Sequence, residues 1–337
     1  MRLLMMGGTG FVGRAVAEAA VARGWAVDAF HRGRHAPPPG VTSLRGDRTG
    51  EGPHAPTAGE WDLVVDTWSG APTAVRDAAR ALAGRAGHYT YVSSRSVYTW
   101  PIAAGLDEGG PVVAGSPDAG ATDYPADKRG GELAAEAAFP GRALLVRCGL
   151  LLGPYEDVGR LPWWLTRIAR GGPVLAPGPR DLPLQYVDVR DLARWTLDAA
   201  ARGLAGPHDL VSPPGHTTMG GLLDACVLAT GSDADLRWTA PDAVLAAGIA
   251  PWTELPVWTP PGELHDALHR SDPRRALATG LRCRPVGETV ADTWAWLRGL
   301  DDAARRALAR PSLGVTPEAE AAVLGGEGTA AVETTEG

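Results

Sequence analysis

The run RLLMM at residues 2–6 leads directly into GGTGFVG at 7–13 and then into RAVAEAAVARG, and no other junction in the chain limits the fold as tightly. The apolar pentapeptide reads as a short buried strand. From Phe11 the apolar positions fall at helical spacing until Gly24 ends the run. Between the two the chain must turn sharply, which favours residues without a side chain, and the free N–H groups and dipole at the helix start favour an anion. Gly7, Gly10 and Gly13 therefore read as a pyrophosphate cradle, with Thr9, Phe11 and Val12 among them. A strand-to-helix turn of purely structural use would look similar. Its place, directly after a strand and opening a helix, favours the ligand.

The alternation continues. WAVDAF, VTSLR, DLVVD, HYTYVS and RALLVR read as strands, and PTAVRDAARALAG and the stretch from Tyr124 to Phe139 as helices. Strands alternating with helices imply an α/β fold with a parallel sheet covered on both faces. Beyond Leu150 proline and glycine crowd GPYEDVGRLPWW and ARGGPVLAPGPRDLPL, and helices are expected at 189–201, 217–230, 263–279 and 286–299. We read 1–160 as a dinucleotide-binding domain to which 184–202 returns, and 161–183 with 203–300 as a smaller, irregular substrate lobe. Residues 301–337, ending in GGEGTAAVETTEG, read as a C-terminal helix and tail with a frayed, flexible end.

Composition narrows the partners. The net charge of −7, with basic residues scattered rather than gathered in a stripe, argues against nucleic acid. Cys148, Cys226 and Cys283 are odd in number, far apart and without metal-ligand spacing, so neither a disulfide framework nor a metal site is expected. No apolar run approaches the ~18 residues of a membrane span. A soluble, cytoplasmic protein acting on a small molecule is the expectation.

The end of the second strand discriminates between nicotinamide cofactors, since an acidic side chain there binds a ribose 2′-hydroxyl and an arginine accommodates a 2′-phosphate. Here the strand ends AFHRGR, with Asp28 too early and His31 and Arg32 at the edge of the ribose site. NADP(H) is favoured over NAD(H). LRGD, closing the third strand, offers Asp47 either as an acceptor for the adenine amino group or as a helix cap.

The chain holds one lysine against 31 arginines, and that lysine, Lys128, follows Tyr124 by four residues in TDYPADKRGG. With an ordinary pKa of ~10, a tyrosine exchanges protons poorly near neutrality unless a cation lies beside it. A lysine one helical turn on supplies that cation, and its three donors can also hold ribose hydroxyls. Arginine's planar fork would not substitute, which accounts for the one lysine kept. Upstream, YVSSRSVY places Ser94 where it can orient a carbonyl for protonation by Tyr124, with Ser93 and Ser96 as competitors.

Together GGTGFVG, YVSSRSVY, the Tyr124/Lys128 pair, VRCGLLLGP and LQYVDVRDLA resemble the short-chain dehydrogenase/reductase superfamily, in its extended and atypical NAD-dependent epimerase/dehydratase-like branch. GGTGFVG through LRGD, with DLVVDTWSG, is most similar to the subgroup of chloroplast stem-loop-binding-like proteins and bacterial reductases. The resemblance runs from residue 1 to about 300. It implies a Rossmann doubly wound parallel sheet, Ser94, Tyr124 and Lys128 as the catalytic set, and the pyrophosphate at Gly7 through Gly13. It further implies adenine at Asp47, cofactor contacts from Thr67, Trp68 and Ser69 after the fourth strand, and nicotinamide contacts at Cys148 and Gly149. Homodimers through the active-site helices are common in the superfamily. Two departures weaken a nucleotide-sugar substrate: DTWSG stands where H-x-A-A is usual, and Leu150 where an asparagine is usual.

Trp163, Trp164, Trp252 and Trp258 each read singly as fillers of a proline-rich loop, while the four together suggest an aromatic lining in the substrate lobe and an apolar or aromatic substrate. The leading expectation is an NADP(H)-dependent reductase, possible roles in secondary metabolism included. An epimerase or dehydratase with tightly held NAD is the second, with Asp107, Glu108 and Asp123 as the nearby carboxylates for its extra acid/base. A non-catalytic nucleotide-sensing or RNA-associated protein is the third.

Overall fold

Both faces of the first strand are buried, and they feed two different cores. A computed structural model describes residues 1–50, 52–308, 310 and 312–325. In it Arg2–Met6 is β1, Phe11–Ala22 is α1, Ala26–His31 is β2, Val41–Arg45 is β3, Trp61–Asp66 is β4 and Pro72–Leu82 is α2. Ala86–Ser94 is β5, Tyr124–Ala138 is α3 and Ala143–Cys148 is β6. Leu3 and Met5 pack with α1 and the helix Val189–Ala201, while Leu4 and Met6 pack with α2 and the end of α3. Each such fully buried side chain contributes about 1.5–3 kcal/mol, so a strand apolar at every position is held from both sides.

The strands form one seven-stranded parallel sheet in the order Gly206–Leu210, β6, β5, β4, β1, β2, β3. Strand order reverses beside β1, the position where open α/β sheets leave a crevice at their carboxyl ends. The expected doubly wound sheet is thus observed. Its seventh strand, GPHDL, lay outside the strands read from the sequence, because an edge strand carrying His208 and Asp209 has no apolar signature.

By packing, the described chain divides into two units, one of Met1–Leu151, Gln185–Pro214 and Asp266–Arg284, the other of Leu152–Leu184, Gly215–His265 and Pro285 onward. Within the second unit, the helices Arg160–Ile168, Met219–Thr230 and Val286–Arg298 pack on one another, and Pro173–Pro177 pairs in parallel with Asp235–Thr239. The helix expected at 263–279 is two, Glu263–His269 and Arg274–Ala278, interrupted at Pro273. Pro317–Gly325 is a helix tied down by Glu320, whose buried carboxylate takes Arg167 Nε (2.6 Å) and the Leu175 N–H (3.0 Å). The expected flexible end at 326–337 lies outside the described residues. Among the described residues no helix is long and apolar enough to cross a membrane, and no group of three metal-ligating side chains occurs.

Candidate active site

The glycine turn is built by contact with the loop after β4. Gly7 has φ +122°, and a Cβ there would fall 2.4 Å from Thr67 Oγ1. Only glycine accepts both conditions. The Thr67 N–H and hydroxyl both donate to the Met6 carbonyl, at 3.2 and 3.3 Å, which fixes the two segments together. A Cβ on Gly13 would meet the Gly8 backbone at 2.6 Å, so α1 packs directly on the turn. Gly10 faces open space and begins α1 without a side-chain cap or an acidic residue in the first turn. Unfilled space before a helix N-terminus suits a pyrophosphate. Thr9, Phe11 and Val12 are half-buried beside it.

At the far end of the crevice, His31 is buried and both ring nitrogens are engaged. Nδ1 accepts from the Gly33 N–H (3.1 Å), leaving Nε2 as donor to Ser43 Oγ (2.8 Å). Burial, assisted by Arg45, pushes its pKa down, so the ring is neutral and supports the loop rather than offering a cation. Arg32 is exposed. Asp28 is turned to Arg2 (2.9 and 3.1 Å) and the Trp61 indole N–H (2.8 Å), away from any ribose role. Asp47 is exposed and its Oδ1 accepts the Thr49 N–H (3.0 Å) and hydroxyl (2.6 Å), closing a local turn rather than capping a helix. These bonds, the hydroxyl's first, hold its pKa down.

Asp123 starts α3 by accepting the Ala126 N–H (2.8 Å), which leaves Tyr124 as the first helical residue, 47% exposed. One turn on, Lys128 is 3% exposed and gives its ammonium to the Trp68 and Val92 carbonyls, each at 2.7 Å. The nitrogen lies 4.9 Å from the Tyr91 ring centroid and 5.9 Å from that of Tyr124. Burial lowers its pKa to about 8, against the opposing pull of Cys148, Asp66 and Glu132. Ser94 ends β5 half-buried; its Oγ accepts the Ser96 N–H (3.1 Å) and bonds the Ser96 hydroxyl (3.1 Å). Ser93 is committed elsewhere, donating to Glu132 Oε1 at 2.8 Å inside the core. Cys148 is paired in register with Ser94 at the end of β6, its thiol buried and its pKa raised to about 12. The fold thus gathers Gly7, Thr67, Trp68, Lys128, Tyr124, Ser94 and Cys148 at the carboxyl ends of the central strands, with His31, Arg32 and Asp47 farther out and Ser69 exposed.

A glycine pair makes the lysine burial possible. A Cβ on Gly130 would strike the Ser116 carbonyl at 2.5 Å, and one on Gly131 the Tyr91 hydroxyl at 2.4 Å. Gly131→Ala should therefore destabilise the protein by about 1–3 kcal/mol despite alanine's better helix propensity, because Tyr91 is fully buried and has nowhere to go. Urea unfolding checks this; a stabilised variant would mean the helix shifts freely.

Sequence reading missed two buried charge networks. Arg48 makes a bidentate pair with Asp66 at the end of β4, both bonds 2.7 Å. Glu132 collects Ser93, Arg129 (2.8 Å) and Arg147 (2.8 and 2.9 Å), and Arg147 continues through Tyr98 to Asp209, which also pairs with Arg95. No local spacing announces either one. The expected tryptophan lining is also corrected. Trp164 and Trp258 are fully buried within the second unit, their N–H groups given to the Pro256 (2.7 Å) and Gly178 (2.9 Å) carbonyls. Trp163 and Trp252 are half-buried.

Residues 60–211 match the NAD dependent epimerase/dehydratase family. No curated protein matches the chain. Among solved structures, the Bordetella bronchiseptica enzyme WbmH in complex with NAD+ is similar at 18% identity and TM-score 0.63, over 88% of this chain and 98% of that one. The Thermus thermophilus UDP-glucose 4-epimerase complex with NAD shares 20% identity at TM-score 0.61, over 89% of this chain and 100% of the other. DesIV, a dTDP-glucose 4,6-dehydratase from Streptomyces venezuelae with NAD bound, shares 20% identity at TM-score 0.62, over 88% and 97%. At these identities the likeness is one of fold. With the family match it bears out the resemblance to the extended epimerase/dehydratase-like branch of the short-chain dehydrogenase/reductase superfamily.

Proposed function

We propose, on that family resemblance, that this protein is an NADP(H)-dependent oxidoreductase acting between a carbonyl and an alcohol of a small molecule. The observation that carries the reading is the exposed Tyr124 phenol with the buried Lys128 ammonium one turn behind it. Gly7 through Gly13 and the start of α1 would hold the pyrophosphate, Arg32 the adenosine 2′-phosphate, and the backbone at Cys148 and Gly149 the nicotinamide end. When bound, the cofactor supplies or accepts the hydride. Tyr124 gives its proton to the substrate oxygen in reduction and takes it back in oxidation. Lys128 makes the phenol more acidic through its positive charge, and the Ser94 hydroxyl orients the same oxygen.

The cofactor preference is tested by titrating NADPH and NADH side by side against tryptophan fluorescence. NADPH should bind tighter, and Arg32→Glu should cut its affinity by about tenfold to a hundredfold, the worth of one charge-assisted contact, with little effect on NADH. Equal losses for both cofactors would remove Arg32 from the 2′-phosphate site.

A second reading, an epimerase or dehydratase with resident NAD, is favoured by the family match over residues 60–211. It predicts NAD that survives purification. It also needs a further acid/base, and the three nearby carboxylates are engaged: Asp107, Glu108 and Asp123 accept the N–H groups of Gly109 (2.9 Å), Asp209 (2.9 Å) and Ala126 (2.8 Å).

A further inference from the structure

The Arg48–Asp66 pair lies beneath the loop whose carbonyl holds Lys128, and one residue joins the two. Asp66 is fully buried and accepts four donors: two from Arg48 (2.7 Å each), the Trp68 N–H (3.0 Å) and the Tyr89 hydroxyl (2.5 Å). That saturates its two oxygens. Arg48 also donates to the Ala74 carbonyl at 2.9 Å, and its guanidinium stands 5.2 Å over the Trp68 ring. The indole N–H of Trp68 goes to the Ala71 carbonyl (3.0 Å). Both the N–H and the ring of Trp68 are therefore held from below. Its carbonyl faces the other way, receiving Lys128 Nζ at 2.7 Å and the Tyr91 hydroxyl at 3.0 Å.

We infer that Arg48 and Asp66 are positioning residues for Lys128: by clamping Trp68 they aim its carbonyl, and that carbonyl with the one from Val92 holds the ammonium beneath Tyr124. This rests on the reading of Lys128 as the cation that acidifies Tyr124. A bidentate arginine suits the task, because its fork fixes the carboxylate plane and so the direction from which the Trp68 N–H is received. The two charges act on the lysine in opposite senses, Asp66 raising and Arg48 lowering its pKa, with Asp66 the larger influence. The loop that lines the crevice is thereby tied to α2, through Ala74, and to β5, through Tyr89.

The single lysine makes a direct test possible, independent of any substrate. With lysine labelled at its ε-carbon by carbon-13, the full-length protein gives one lysine resonance, whose pH titration and relaxation report the state and rigidity of Lys128 alone. In the wild type the midpoint should fall near about 8, with a rigid side chain. The double variant Arg48→Gln/Asp66→Asn, which removes both charges together, should move the midpoint down by about one unit or more, because the ammonium loses the aimed Trp68 carbonyl and the attraction of Asp66, with a more mobile ε-carbon. Tyr89→Phe, an isosteric change that removes one donor from Asp66, should shift both readouts in the same direction by less, and it decides the matter if the double variant does not fold. A folded double variant, or failing that Tyr89→Phe, with the wild-type midpoint and rigidity would overturn the inference and leave the pair a purely structural one. Failure of the reductase reading would show separately, as loss of cofactor binding or turnover with this resonance unchanged.

Discussion

Tyr124→Phe should lower turnover by about 10²–10⁴-fold while leaving the affinity for NADPH within about twofold. The phenol sits at the first position of α3 and is 47% exposed, so losing its hydroxyl opens no cavity and changes thermal stability little. On the proposed reading, what it removes is the group that exchanges a proton with the substrate oxygen. Lys128 keeps its two carbonyl partners, and the turn from Gly7 to Gly13 is untouched, which is why binding survives. NADPH oxidation across a panel of aldehydes and ketones, compared for wild type and variant on the best substrate found, makes the measurement. A variant that retained full biological activity would instead favour a non-catalytic, nucleotide-sensing protein.

The parts of this site that were legible in the sequence are those encoded within a few residues of one another. Gly7, Gly10 and Gly13 sit inside one strand-to-helix junction, and Tyr124 and Lys128 inside one helical turn. Lys128 stood out further because the chain otherwise uses arginine for its long cations. Arg48 and Asp66 are eighteen residues apart and meet only because β4 and the segment after β3 reach the same end of the sheet. Spacing carries no trace of that pairing. The tryptophans fail for a related reason: residue type announces a large apolar ring, but whether it lines a cleft or fills a core depends on where the indole N–H finds an acceptor, and for Trp164 and Trp258 those acceptors lie 92 and 80 residues away in sequence. Asp47 closes a local turn with Thr49, a use that neither the adenine nor the helix-cap expectation named.

Lys128→Met should lower turnover by about 10²-fold or more, and should also remove this residue's own contribution to the pH dependence of stability. In the folded chain burial holds the lysine pKa near about 8, below its ordinary value of 10.5. Below pH 8 the ammonium is present in both folded and unfolded chains, and the cost of burying it is borne in full. Between pH 8 and 10.5 the unfolded chain still holds a proton that the folded chain has released, so the wild type gains stability as pH rises, by about 3 kcal/mol over the whole window. The stability difference between wild type and Lys128→Met should therefore widen in favour of the wild type across that interval, measured by urea unfolding at several pH values. A flat difference would mean that the two carbonyls compensate the buried charge completely. Lys128→Arg should restore neither property. A guanidinium releases no proton in this range, so the alkaline gain is absent. Its longer, planar head also fixes its donors in one plane, whereas the ammonium turns freely to meet the Trp68 and Val92 carbonyls, each 2.7 Å from the lysine nitrogen. The added volume beside the buried Tyr91 ring costs about 1–3 kcal/mol more. A point cation with convergent donors, able to give up its proton, is what this pocket requires, and arginine meets neither condition.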